Sequence, residues 1–207
     1  MKKKIQVLCI GGGMTFKSRD DYLDWLKTRS IKLDFKNSWH GDYLKNGLGE
    51  DFQIVKPRMP LQDCAEYEDW KIWFERYLEE MDDNFILAGS SLGGIFLTKY
   101  LSENVVDKNI ISVYLVCPPF DNDLIGEDLV GGFELGEDLS LIEKNCGRVV
   151  LMFSSDDDCV PISHAEKYRD KLGEVEIFVY DDKNGHFDVE EFPEIVGMIR
   201  EDAKNMI

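Results

Sequence analysis

Basic residues are scarce in this chain: 24 lysines and arginines stand against 41 aspartates and glutamates, a formal net charge of −17. A surface of that sign repels phosphate backbones and anionic headgroups, so neither nucleic acid nor a membrane surface is expected as a partner, and polyanionic substrates are disfavoured. Cysteine lacks any paired pattern. Cys9, Cys64, Cys117, Cys146 and Cys159 are odd in number and form no C-x-x-C spacing, which argues against a disulfide framework and against a cysteine metal site. Long apolar runs are missing too. No stretch approaches the roughly 20 residues of a membrane span. The apolar run Ile5–Ile10 behind Met1-Lys2-Lys3-Lys4 is too short for the core of a signal peptide and ends in glycines. A reducing cytoplasm is the compartment expected from these absences. Linkers, repeats and low-complexity tracts are absent as well. With 207 residues, 43% of them hydrophobic and 12% aromatic, the chain can bury one substantial core and is short for two, so a single domain over residues 1–207 is expected.

What is present is an alternation of strand-like and helix-like segments. Residues 5–10, 51–56, 84–88, 110–117, 149–153 and 175–180 are short apolar runs of the buried-strand kind. Between them, Ser18-x-x-Asp21 has the form of a capping box opening a helix to about Arg29, and Ser163-x-x-Glu166 that of a second one. Trp39, Tyr43 and Leu44 suggest a further helix ended by Gly47 or Gly49. Trp70, Trp73, Phe74, Tyr77, Leu78 and Met81 fall on one stripe at helical spacing, and Phe192, Ile195, Val196 and Ile199 mark a closing helix. Residues 121–145 are acidic, weakly periodic and the least ordered in pattern. Six continuous apolar strands alternating with helices predict a mostly parallel sheet covered by helices on both faces.

The stretch that organises the rest is Gly89-Ser90-Ser91-Leu92-Gly93-Gly94. It follows a buried strand and opens a helix, 95–101, that is apolar nearly all round. Strand, tight turn and helix with G-x-S-x-G at the turn is the pattern of a nucleophile elbow. The reversal strains the backbone at the serine and crowds its flanks, so Gly89 and Gly93 are the residues without a Cβ to collide. Ser91 would then stand at a helix N-terminus, whose N–H groups favour developing negative charge.

A serine hydroxyl needs a base, and only His40, His164 and His186 are available. His40 has no motif around it. His164 falls in the first turn of a helix, where a solvated imidazole is unremarkable. His186 lies in Asn184-Gly185-His186-Phe187 after the last strand, at the sheet edge where open α/β folds build their sites, and is the preferred base. The turn after the preceding strand offers Asp156, Asp157 and Asp158 as the orienting acid. Oxyanion donors are expected from Leu92 and from the loop Gly11-Gly12-Gly13-Met14. That loop could alternatively cradle a nucleotide, but Phe16 stands where G-x-G-x-x-G requires glycine.

Together these residues resemble the α/β-hydrolase superfamily, and within it the small, nearly lidless serine hydrolases of the YdeN and retinoblastoma-binding protein nine kind. The resemblance runs through the glycine loop, Trp39, Val55-x-Pro57-x-Met59-Pro60, Gly89-x-Ser91-x-Gly93-Gly94, Asp157-x-x-Val160-Pro161 and Gly185-His186-Phe187. Two positions depart from it: Ile10 and Ser90 stand where histidines are common. The resemblance implies a three-layer α/β-hydrolase fold without a large cap domain. It implies a Ser91–Asp157–His186 catalytic triad, with Asp157 the matching acid, and an oxyanion hole from Leu92 and Gly12, with Gly13 as a further candidate. The expected activity is hydrolysis of a small carboxylic ester, thioester or amide through an acyl-Ser91 intermediate, needing neither cofactor nor metal. Phe16, Trp39, Phe120 and Phe187 are candidates for the substrate pocket. The alternative reading is a non-catalytic binding protein on the same fold. Nothing in the sequence speaks to the oligomeric state, and residues 18–37 are long enough to cover the site.

Overall fold

The computed structural model describes residues 3–31, 33 and 37–204. Six strands form one sheet: β1 Ile5–Ile10, β2 Phe52–Val55, β3 Asn84–Ser90, β4 Asn109–Val116, β5 Val149–Ser154 and β6 Glu176–Tyr180. Their order is β2-β1-β3-β4-β5-β6, and every pair is parallel. Parallel neighbours need crossovers, which the helices supply: α1 Arg19–Thr28, α2 Leu44–Leu48, α3 Tyr67–Glu80, α4 Leu92–Glu103, α5 Leu141–Asn145, α6 Ser163–Lys171 and α7 Pro193–Asp202.

The helices divide between the two faces. On one, Trp70, Phe74 and Leu78 of α3, most of α4, Ile142 of α5 and Tyr168 of α6 bury Leu8, Leu87, Leu115 and Leu151 of the sheet. On the other, Leu44 and Leu48 of α2 and Ile195, Val196 and Ile199 of α7 bury Val7, Ile86, Tyr114 and Met152. Alternate residues of one strand thus feed opposite cores, and a strand apolar at every position needs both. The result is the expected three-layer α/β sandwich. Helix α4 lies in the thick of it, with nine of its residues buried, as its all-round apolar sequence requires.

Three local expectations are corrected. Ser163 does not cap α6: the N-cap position belongs to Ile162, already helical in φ and ψ, with no side-chain cap. The helix grows from the Pro161 turn, whose carbonyl accepts the His164 N–H at 3.0 Å. The helix expected from Trp39 is a wide turn, Trp39–Tyr43, with non-helical backbone at Gly41 before α2 begins. Residues 121–145, weakly patterned in sequence, are anchored by the buried side chains of Leu129, Phe133, Leu139 and Ile142 and by an antiparallel bridge between Thr15 and Asp128. Ser18 caps α1 as expected, its hydroxyl accepting the Asp21 N–H at 3.1 Å, yet α1 buries none of its residues.

Candidate active site

The C-terminal ends of β1, β3, β4, β5 and β6 converge on one region. At the end of β3 the chain reverses into α4 through Ser91, whose backbone is at φ 55°, ψ −124°, a region that costs a non-glycine residue free energy. The Ser91 N–H donates to Val116 at 2.8 Å, tying the turn to the end of β4. The flanking glycines are explained by what surrounds them. A Cβ on Gly89 would lie 2.6 Å from the Gly93 carbonyl oxygen, and one on Gly93 would collide with the carbonyls of Ile10 and Gly11. A Cβ on Gly94 would meet Pro118 at 2.9 Å.

The loop after β1 passes over the serine. A Cβ on Gly12 would stand 3.2 Å from Ser91 Cβ and 3.7 Å from its Oγ, so the loop runs close past the serine side chain. Gly13 is packed between Leu92, Trp70 and the Gln62 carbonyl. Leu92 is the first residue of α4, where backbone N–H groups have no acceptor within the helix. Gln62 braces the loop: its Nε2 donates to the Gly12 carbonyl at 3.0 Å, and its own carbonyl accepts the Met14 N–H at 2.8 Å.

His186 sits in a loop bent by positive φ on both of its sides, at Asn184 (φ 51°), Gly185 (φ 70°) and Phe187 (φ 55°). Its Nδ1 is 2.8 Å from Asp157 Oδ2 and 3.0 Å from Oδ1. The Asp157 side chain is 1% exposed, and Oδ1 also accepts the N–H groups of Cys159 at 2.9 Å and Val160 at 2.8 Å. A buried carboxylate held by two backbone donors keeps its orientation and fixes the imidazole with its Nδ1 proton toward the acid. Asp156 faces outward and accepts from Ser154 Oγ at 2.6 Å; that bond and the Gly185 N–H hold its carboxyl below the usual range. Asp158 is exposed. Of the three adjacent aspartates, only Asp157 meets His186.

The Nε2 end of the imidazole faces Cys117, whose Sγ lies 3.6 Å away. Burial opposes protonation of His186, but the Cys117 sulfur and the Asp157 carboxylate favour it more strongly, and its pKa is raised above the ordinary histidine value. The other two histidines are pushed the other way. Burial, with Lys56 nearby, lowers His40 to about 4. His164, expected in solvent, is fully buried. Its Nδ1 accepts the Phe120 N–H at 2.8 Å and its Nε2 donates to the Asp123 carbonyl at 2.8 Å, so it fastens the loop after β4 and is kept neutral by burial.

Ser91 opens on a cavity of about 10 Å³ lined by Gly13, Leu92, Pro119, Cys159 and Val160 among others, room for about one water molecule. A wider cleft of about 540 Å³ shares Met14, Thr15, Glu127 and Asp128 with it and adds Phe16, Asp21, Asp24 and Trp25. That volume is in the range of small-molecule sites. A serine hydroxyl on a strained turn, an imidazole oriented by a buried carboxylate, and backbone amides around the serine can together support nucleophilic attack on an acyl carbon.

Comparison with known proteins gives the family and the fold. Residues 35–194 match the model of the family described as serine hydrolase. The chain belongs to the serine hydrolase family. Serine hydrolase RBBP9 of Rattus norvegicus is 24% identical over 168 residues, covering 79% of this chain and 86% of that protein. Among solved structures, the ydeN gene product of B. subtilis superposes with a TM-score of 0.77 at 19% identity over 97% of this chain and 100% of its own. The Pyrococcus furiosus esterase Pf2001 does so with a TM-score of 0.60 at 13% identity, covering 98% and 83%. The fold is that of the α/β-hydrolases.

In this serine hydrolase the four aromatic pocket candidates part company. Phe16 lines the wide cleft, with Tyr22 and Trp25 each 5.4 Å away between ring centroids. Phe120 packs edge-on against Tyr168 at 5.1 Å. Trp39 and Phe187 are core residues of the opposite sheet face, both against Phe192; neither lines the cavity at Ser91, because residue type alone does not say which face of a sheet an aromatic covers. Two residues of the site carry no mark in the local pattern. Gln62 acts across the fold, and Cys117 is signalled only by its position at the C-terminal end of a strand, before Pro118. Among the described residues no helix is long and apolar enough to cross a membrane.

Proposed function

We propose that this protein hydrolyses small carboxylic esters, with thioesters and amides as the neighbouring possibilities, through an acyl-Ser91 intermediate. His186 takes the Ser91 proton and returns it to the leaving group; Asp157 holds the working tautomer and steadies the imidazolium. The N–H groups of Leu92 and Gly12 receive the oxyanion, with Gly13 keeping the loop close. The observation that carries this reading is the Asp157–His186 pair at 2.8 Å, taken with a serine at φ 55° on an elbow whose flanking glycines leave no room for a Cβ. The cleft of about 540 Å³ that adjoins the one-water cavity at Ser91 is of a size for a small ester. The acyl step forms the Ser91 Oγ–carbonyl bond and expels the alcohol; water then attacks the ester so formed, with His186 as base again. The test is labelling with a fluorophosphonate followed by mass spectrometry. An adduct on Ser91, together with loss of p-nitrophenyl ester hydrolysis in Ser91→Ala, is expected; an adduct on Ser90 or full activity in Ser91→Ala overturns the reading.

A further inference from the structure

One edge of an imidazole carries the chemistry proposed for Ser91, and in this structure that edge faces a thiol. Taking the Ser91 proton falls to Nε2 of His186, yet among the described residues Nε2 has its hydrogen bond with Cys117 Sγ, at 3.6 Å, and none with Ser91. The other edge is committed, since Nδ1 faces both oxygens of Asp157 at 2.8 and 3.0 Å. Cys117 is itself held firmly. It is 1% exposed, its N–H donates to the Met152 carbonyl at 2.7 Å, and its backbone is at φ 42°. Left-handed backbone at a non-glycine residue is costly and gathers at functional sites. Val116, just before it, pairs with Ser90 across the sheet and accepts the Ser91 N–H, so the thiol and the serine stand at the ends of neighbouring strands.

We propose that Cys117 is a positioning residue of the hydrolase: its sulfur holds Nε2 of His186 in the resting enzyme, and the imidazole must leave the thiol before it can take the Ser91 proton. The proposal rests on the acyl-Ser91 reading for its effect on rate, whereas the contact stands without it. The resting ring is an imidazolium, with Nδ1–H donating to Asp157 and Nε2–H to Cys117. Burial opposes that charge, and the Cys117 sulfur together with the Asp157 carboxylate outweighs it. These two are the titratable groups that face the ring, one from the end of β4 and one from the turn after β5. Cys159, whose N–H donates to Asp157 Oδ1, is kept a neutral thiol by burial and by Glu127. Asp156 and Asp158 approach Gly185 instead of the imidazole.

A thiol suits a hold that has to be broken at every turnover. Sulfur is a weak hydrogen-bond acceptor. A carboxylate in its place would trap the imidazolium through a charge-assisted bond, and an alkyl group would leave Nε2–H with no protein partner. On release the Nε2 proton passes to water, the ring keeps the lone pair, and the Ser91 hydroxyl donates to it. No bond between heavy atoms forms or breaks in this step.

The test is the titration of His186 by nuclear magnetic resonance, on protein labelled with ¹⁵N in its histidines. His40 and His164 are both lowered, chiefly by burial, so the ring that titrates highest is His186, and its signals vanish in His186→Gln. In wild type this ring is expected to carry both protons at neutral pH; a ring carrying one overturns the proposal without any substitution. Cys117→Ala should lower the titration by about one pH unit or more, and Cys117→Ser, which keeps an acceptor on the same Cβ, should recover most of it. Ser91→Ala should leave it unchanged, because the resting ring is not on the serine. A titration that ignores Cys117→Ala, or one that follows Ser91→Ala instead, overturns the assignment. The ascending limb of kcat/KM for p-nitrophenyl ester hydrolysis should move to lower pH by the same amount in Cys117→Ala, raising about tenfold the share of the plateau rate reached at neutral pH. A limb that stays in place while the whole profile is scaled down makes Cys117 a packing residue and overturns the positioning role. If Ser91→Ala keeps full hydrolysis, the acyl-Ser91 reading falls while the titration still decides the contact.

Discussion

Gln62 donates through Nε2 to the carbonyl oxygen of Gly12 at 3.0 Å, joining residues 50 positions apart in the chain. With its own carbonyl taking the Met14 N–H at 2.8 Å, the residue grips the glycine loop at both Gly12 and Met14. One neutral hydrogen bond is worth about 1 kcal/mol, roughly fivefold in rate if it is spent on holding an oxyanion donor. Gln62→Ala is therefore expected to lower kcat for ester hydrolysis by about fivefold at nearly unchanged Tm. A variant with wild-type kcat would mean that the loop holds its shape without the brace.

The three aspartates after β5 should separate in kinetics as they do in space. Asp157→Asn keeps an acceptor for the Cys159 and Val160 N–H groups but presents an amide to Nδ1 and favours the wrong tautomer. A loss on the order of 10⁴-fold in kcat is the precedent from a serine protease. Asp156→Asn and Asp158→Asn, which do not touch His186, should change kcat by less than about threefold. Side-by-side rates of the three folded variants decide it; a dominant effect at position 156 or 158 would reassign the acid.

The pH dependence follows from the raised pKa of His186. A general base must be neutral, so kcat/KM should climb with pH through a group above the ordinary histidine value of about 6.5. The sign for stability is the opposite. A group whose folded pKa exceeds its unfolded one stabilises the fold below the unfolded value and loses that contribution as pH rises through the folded value. Rate profiles on wild type, and Tm against pH for wild type and His186→Gln, measure both; an ascending limb below pH 6 contradicts the environment described.

His40 gives the mirror image. Burial lowers it to about 4, so the folded state resists its protonation while the unfolded chain accepts it. Stability is intact above about pH 6.5 and should drain away as pH falls toward 4. His40→Gln, which cannot charge, should lose less Tm than wild type between pH 6.5 and 4. Parallel Tm curves for the two proteins would place the acid sensitivity elsewhere.

Gly93 and Gly136 make a matched pair for the elbow. A methyl group on Gly93 would strike two backbone carbonyls, those of Ile10 and Gly11, whereas one on Gly136 meets nothing within 4 Å. Gly93→Ala should cost more than about 3 kcal/mol or prevent folding, and Gly136→Ala should stay within about 0.5 kcal/mol. Chemical denaturation of both variants is the measurement; a stable, active Gly93→Ala would mean that the turn can open without loss.

The layers of the fold were legible because burial is written locally. The all-round apolar character of 95–101 and the single stripe from Trp70 to Leu78 each announce how many faces meet a core. An aspartate–histidine contact was legible through the rarity of histidine and the position of both loops at one sheet edge; the choice of Asp157 among its neighbours came from the family resemblance. What escaped is non-local. The burial of His164 comes from the Phe120–Asp123 backbone folding over it, which a capping pattern around Ser163 does not report. The order of residues 121–145 rests on isolated anchors such as Leu129 and Phe133, too sparse to give a period. Trp39 and Phe187 look like pocket aromatics until the sheet decides which face they cover.

Helix α1 lines part of the cleft, through Asp21, Asp24, Trp25 and Thr28, and buries none of its own residues. Its contribution to the stability of the sheet and cores is correspondingly small, since stability is concentrated where apolar contact is dense. Substitutions there meet little of the penalty that constrains α3 or α4. Under the proposed reading, substrate preference is decoupled from folding: the α1 side of the cleft can be rewritten residue by residue, by natural drift or by directed evolution, while Ser91, Asp157 and His186 stay mounted at the ends of strands that do not change.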